Sequence, residues 1–173
     1  MLRGINVGGH KVIKMEQLRA SFAALGFGTV KTYVQSGNIV FEAPNDSAAD
    51  LSRKIERKIL HDFGFPVPVF LRTEKEMAAT IKRNPLLKDS AIDPSKLHVT
   101  FLSNAPPKSA HEHLQPLAVK PEQFYIMDRD IYLYCPNGYG TTKLSNTAIE
   151  KKLSVGATTR NWKTVNILLA MAQ

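Results

Sequence analysis

Twice along this chain an extended run is followed by an amphipathic helix, two extended runs joined by a turn, and a second helix; this repeated order constrains the fold more than any other feature. In the first repeat Leu2 to Val7 reads as a short strand running into Gly8-Gly9. Met15, Leu18, Phe22 and Leu25 then recur as one face of a helix, with Gly26 placed to end it. Thr29 to Gln35 and Asn38 to Ala43 read as strands, and Ser36-Gly37 between them has the spacing of a tight hairpin. Pro44 to Asp46 breaks the sheet. Ser47 with Asp50 resembles a capping box, Leu51, Ile55 and Ile59 supply the buried stripe of a helix ending near Gly64, and Val67 to Leu71 is a closing strand.

The second repeat follows a connecting helix from Thr73 to Arg83, capped by Thr73 and Glu76 and stopped by Asn84-Pro85. Leu97 to Leu102 is its first strand, and a helix lies near Lys108 to Leu117. Gln123 to Met127 and Ile131 to Cys135 form a hairpin turned by Asp128-Arg129-Asp130. A helix from Ser145 to Leu153, an extended Ala157-Thr158-Thr159 and a terminal helix with Trp162, Val165 and Leu169 on one face complete it. The expected fold class is α+β: two tandem ferredoxin-like α/β plaits (β-α-β-β-α-β), each an antiparallel sheet with helices on one face. The boundaries are 1–72 for the first unit, 73–95 for the connecting helix and linker, and 96–173 for the second. This fold is among the most re-used, so it leaves function open.

With 43% apolar residues in 173, the chain has enough hydrophobic content for a packed core. The opening residues lack the apolar stretch of a secretory signal, and no apolar run is long enough to span a bilayer, so a cytoplasmic protein without membrane association is expected. Cys135, the single cysteine, sits in a strand-like run without a Cys/His partner and reads as a core thiol. The five histidines are scattered, and His111 and His113 do not share a helix face, so no metal and no cofactor is expected.

The net charge is +8, from 23 Lys and Arg against 15 Asp and Glu. It suggests acidic partners, but residues 1–83 hold 13 basic and 8 acidic side chains and residues 84–173 hold 10 and 7, so no basic tail exists.

Four segments carry residues suited to chemistry. Gly138-Tyr139-Gly140-Thr141-Thr142-Lys143 enters a helix and could turn backbone N–H groups and a lysine toward an anion; a glycine-rich turn capped by Ser145 accounts for the same residues. It is not a Walker A loop, because Leu144 follows Lys143. Thr159 or Asn161 caps the last helix, whereas Arg160 suits a carboxylate or phosphate at a helix start, or a salt bridge to the other unit. Arg3 and Asn6 stand before paired glycines that permit a sharp turn or the close approach of a ligand. Ser36 lacks a GxSxG elbow and a histidine base and is rejected as a nucleophile.

The strings LRGINVGG (Leu2 to Gly9), YVQSGNIVF (Tyr33 to Phe41) and ATTRNWKTV (Ala157 to Val165), with PNGYGTTKLSN between Pro136 and Asn146, resemble a widespread bacterial family of small proteins known as a domain of unknown function. The resemblance spans nearly the whole chain and implies two α/β-plait domains with no established activity. Family members usually carry several more apolar residues before the leucine-arginine-glycine string, whereas Met1 directly precedes Leu2 here, so the first strand is expected to be short.

Two functional expectations follow. One is a small-ligand or phosphate-binding protein, with or without enzymatic activity, whose unidentified anionic ligand meets Arg3, Asn6, Gly138, Gly140, Lys143 and Arg160 in a pocket between the units. The other is a nucleic-acid-binding module of weak affinity, with Tyr132 and Tyr134 on one strand face as stacking platforms, although no RNA-recognition consensus string is present.

Overall fold

The computed structural model describes residues 1–44 and 46–173. The expected break at Pro44 to Asp46 therefore includes one residue, 45, outside the described set. The chain has a mixed α+β fold with two antiparallel sheets and six α-helices among the described residues. It divides into two compact units, Met1–Thr73 with Ala170–Gln173, and Glu74–Leu169.

In the first unit, α1 (Met15–Ala24) buries Leu18 and Phe22, and Gly26 at φ +80 ends it as the glycine spacing required. Strands β1 (Gly28–Tyr33) and β2 (Asn38–Glu42) pair antiparallel, and α2 (Ala48–Phe63) buries Leu51, Ile55 and Ile59. The Ser47 hydroxyl accepts from the Asp50 N–H, and Gly64 at φ +79 closes α2, so both ends of this helix were written in the sequence. Phe22, Phe27 and Phe41 pack ring to ring beneath the hairpin.

Three expectations are corrected here. Leu2 to Val7 and Val67 to Leu71 are not full strands: only the Leu2–Val69 bridge joins them, because left-handed backbone at Gly4 and Asn6 turns the chain out of the ladder after Arg3. The hairpin loop holds four residues, 34–37, rather than two. Val34 at φ +48 and Gly37 at φ +74 shape it, and the buried Asn38 amide closes it by donating to Tyr33 O and Ser36 Oγ.

The second unit contains α3 (Glu74–Lys82), β3 (Leu97–Leu102), α4 (Ala110–Leu114), β4 (Gln123–Met127), β5 (Asp130–Tyr134), α5 (Asn146–Leu153), β6 (Ala157–Asn161) and α6 (Trp162–Ala172). Its sheet runs β4-β5-β3-β6, antiparallel throughout. Strand alternation gives it two faces. Leu102, Ile131, Leu133 and Ala157 lie on one, packed with Leu114 of α4 and Ile149 of α5. The other carries Val99, Phe101, Asp130, Tyr132 and Arg160.

The expected connector α3 belongs to this unit. Its Thr80 hydroxyl donates to Asp130 Oδ2 at 2.6 Å, its Thr80 carbonyl accepts from Tyr132 Oη at 2.8 Å, and Glu76 and Arg83 form ion pairs with Arg129 and Asp128. The β4–β5 turn is two residues, Asp128-Arg129, since Asp130 already pairs with Met127 inside the ladder. Arg160 is likewise a strand residue, paired with Val99, while Asn161 caps α6 by accepting from the Thr164 N–H. On α6 the buried stripe is Thr164, Val165 and Leu168; Trp162 and Leu169 are half-buried.

Candidate functional site

The apolar face of the second sheet ends in a polar cluster where β3 begins and β6 finishes. Thr100 on β3 and Thr159 on β6 stand directly opposite each other, and their hydroxyls are 2.7 Å apart. The Tyr139 hydroxyl donates to Thr159 Oγ1 at 3.0 Å, and Thr159 in turn donates to Asn146 Oδ1 at 2.7 Å. Asn146 is the first residue of α5, whose start is fixed by the Ser145 side chain accepting from Ala148 N. One threonine hydroxyl thus joins two strands, the glycine loop and a helix start.

His98 stacks on Tyr139 with ring centroids 5.0 Å apart. A carbonyl cannot donate, so the contact of His98 Nδ1 with Lys96 O at 3.2 Å puts the proton on Nδ1 and leaves Nε2 an acceptor. Burial lowers the pKa of this imidazole, opposed only in part by the bond to the Lys96 carbonyl, so the neutral ring is the one present near neutral pH.

Gly138, Gly140 and Lys143 share the loop that delivers Tyr139. Gly138 is at φ +94, a short 3-10 turn spans Tyr139–Thr141, and Thr142 Oγ1 both accepts from Leu144 N and donates to Glu122 Oε2. The loop is therefore braced both internally and by Glu122, just before β4. Lys143 is exposed, and no acceptor among the described residues holds its ammonium; the Asn146 Nδ2 group likewise donates to no described residue.

Arg160 stands apart from this cluster. It follows Thr159 on β6 and so projects from the opposite face, where it is 8% exposed and donates from Nη1 to Thr158 Oγ1 and Thr159 O. Lys143 lies in the loop before α5, and among the described residues no hydrogen bond joins it to Arg160. Tyr132, on Arg160's face, is fully buried beneath α3, and its phenol pKa is pushed up to about 12, chiefly by burial. The expectation that it offers a stacking platform is corrected: the α3 contact occupies the ring's surroundings. Tyr134 is half-buried. Cys135 is also buried, and its thiol is pushed up to about 12 by burial, which suits a core position and not a nucleophile.

Arg3 and Asn6 belong to the first unit. Asn6, at φ +55, is a clamp: its Oδ1 accepts from Ile13 N at 2.8 Å while Nδ2 donates to Ile13 O at 3.0 Å and Gln35 O at 2.7 Å. This corrects its reading as a ligand residue, since every polar atom of the amide already has a protein partner. Arg3 N donates to Pro68 O, and its side chain is half-buried. Sequence reasoning missed His98, Tyr139, Thr159 and Asn146 as a group. They lie 7 to 61 positions apart, and the register of β3 against β6, with the loop that enters α5, brings them together.

Among the described residues no group of three or more His, Cys, Asp or Glu side chains is placed to hold a metal ion. No helix is long and apolar enough to cross a membrane. A solved structure, the conserved bacterial protein SP0830 from Streptococcus pneumoniae, superposes with a TM-score of 0.75 at 23% identity, covering 100% of this chain and 96% of that one, which establishes a shared fold. No curated protein matches the sequence. Residues 1–132 match the family described as "Protein of unknown function (DUF1697)", a span holding both the LRGINVGG and YVQSGNIVF strings. By that match over most of its length, the chain belongs to this family of proteins of unknown function.

Proposed function

We propose that this protein binds a small, partly protonated anion, such as hydrogen phosphate, at the polar cluster of the second unit. The observation that carries the reading is the Tyr139–Thr159–Asn146 chain of hydrogen bonds, half-buried at the end of an otherwise apolar sheet face. Burying polar groups costs stability unless they are partnered, and these side chains partner one another while leaving selected atoms available. The Asn146 Nδ2 donor and the α5 start favour anionic oxygens, Lys143 supplies charge from the same loop, and neutral His98 offers Nε2 to an anion's remaining O–H. Arg3, Asn6 and Arg160 are outside this proposal.

The test is a titration of the protein with inorganic phosphate, followed by NMR at His98, Tyr139 and Asn146. Asn146→Asp keeps the acceptor for Thr159 and suits a helix start, yet places negative charge in the site; it should weaken phosphate binding by about tenfold or more without loss of stability. Lys143→Ala should weaken it less. Phosphate that produces no saturable shift at these residues overturns the reading.

The β4-β5-β3-β6 order, with α4 between β3 and β4 and α5 between β5 and β6, fits a ferredoxin-like plait. The first unit's hairpin, two helices and Leu2–Val69 bridge fit a reduced version of the same plan.

A further inference from the structure

Three of the six most exposed large aliphatic side chains among the described residues lie at one loop end; Leu60, Leu87 and Val119 are scattered elsewhere. Val7, Val12 and Val34 are 66, 63 and 52% exposed, and all three belong to the loop end of the first unit. The Asn6 amide holds the segment 6–13 to the hairpin tip by donating to Gln35 O at 2.7 Å, and Leu2 N donates to Gly37 O at 2.8 Å, so the valine-bearing loops are neighbours. Scattered exposed valines are ordinary; three at one loop cluster mark a surface that something covers.

The backbone there is also unusual. Asn6, Lys11 and Val34 have φ of +55, +47 and +48, together with Gly4, Gly8, Gly9 and Gly37 on the positive side. A β-branched residue in the left-handed region is disfavoured, and such strain persists where the surroundings impose it and tends to mark functional loops. The neighbouring Asn38 and Asn6 amides impose it here.

Charge selects the occupant. Residues 1–15 and 30–41 contain Arg3, Lys11, Lys14 and Lys31 and no Asp or Glu. Another copy of this basic chain would bring like charge. Nucleic acid is less suited because His10 is the one exposed ring in these two segments on which a base could stack, and membrane insertion calls for larger side chains than valine. We propose that the loop end of the first unit, Asn6 to Val12 with the hairpin tip at Val34, docks an acidic polypeptide segment bearing aliphatic side chains on a partner protein.

A short synthetic peptide alternating Glu and Leu is the probe, with the full chain observed through valine methyl NMR. The controls are a Lys-Leu peptide, a single-stranded oligonucleotide and phosphatidylserine vesicles. Saturable shifts at Val7, Val12 and Val34 with the Glu-Leu peptide alone are expected, weakened about fivefold by Val7→Ser or Lys14→Glu. Val34→Asn removes the aliphatic surface and substitutes a residue that tolerates left-handed backbone, so it should weaken binding without lowering the unfolding temperature. The proposal is overturned if the Glu-Leu peptide moves none of these methyls, or if the oligonucleotide or the vesicles move them equally. Inorganic phosphate should leave all three methyls in place, which separates this surface from the cluster around Thr159.

Discussion

Single atoms at Gly37 and Asn6 decide how the first unit closes. A Cβ at Gly37 would lie 2.6 Å from Leu2 Cβ and 3.0 Å from Ile5 Cδ1, on backbone at φ +74 that a side chain resists. Gly37→Ala should therefore destabilise by about 2–3 kcal/mol in denaturant titrations, with Leu2 and Ile5 forced to shift. Asn6→Ala removes three hydrogen bonds to two segments and should cost about 2–3 kcal/mol by the same measurement. Asp62 adds a pH-dependent contribution. Hydrogen bonds from the Ser21 hydroxyl, His61 and Lys58 hold its carboxyl well below the usual carboxylate range. A depressed folded-state pKa gives stability that is present above the unfolded carboxylate pKa of about 3.9 and is lost as pH falls below it. Asp62→Asn should flatten that acid limb in unfolding measurements taken at successive pH values.

Helix α3 is fastened to its sheet by polar contacts as well as packing. Tyr132→Phe keeps the ring and removes the donor to Thr80 O, and should cost on the order of 1 kcal/mol in thermal unfolding. Raised pKa values at Tyr132 and Cys135, both to about 12, add a sign at the alkaline end. Their contribution is whole below the unfolded values of about 10 and 8.5 and fades as pH rises toward the folded ones. At this scale the sequence was a good guide wherever a local signal existed. The Ser47 cap, the Leu51-Ile55-Ile59 stripe and the glycine at 64 placed α2 within a residue, and the extended run Leu97 to Leu102 coincides with β3. It failed where tertiary contacts decide: Arg160 became a strand residue through pairing with Val99, and Asp130 was drawn into the ladder by Thr80. The Thr159 cluster was invisible for the same reason, because register across β3 and β6 has no signature in either segment alone.

For the molecule as a whole, the +8 charge should give weak, sequence-independent attraction to nucleic acid that falls steeply with added salt, checked by anisotropy at successive salt concentrations. Sequence-selective, salt-resistant binding would contradict it. The repeated element order indicated two units, yet not that Ala170–Gln173 would group with residues 1–73, since a four-residue tail carries no periodicity to read. The Leu2–Val69 bridge has a further consequence, in time instead of space. Its two halves, with Phe70 N donating to Met1 O, are separated by almost the full length of their unit. During synthesis the first residues leave the ribosome long before their partners exist, and at about 5–20 residues per second that delay lasts some seconds. Throughout it Leu2 and Ile5, later buried, lack the cover that Val67 to Phe70 give them, so this side of the first unit's core closes last.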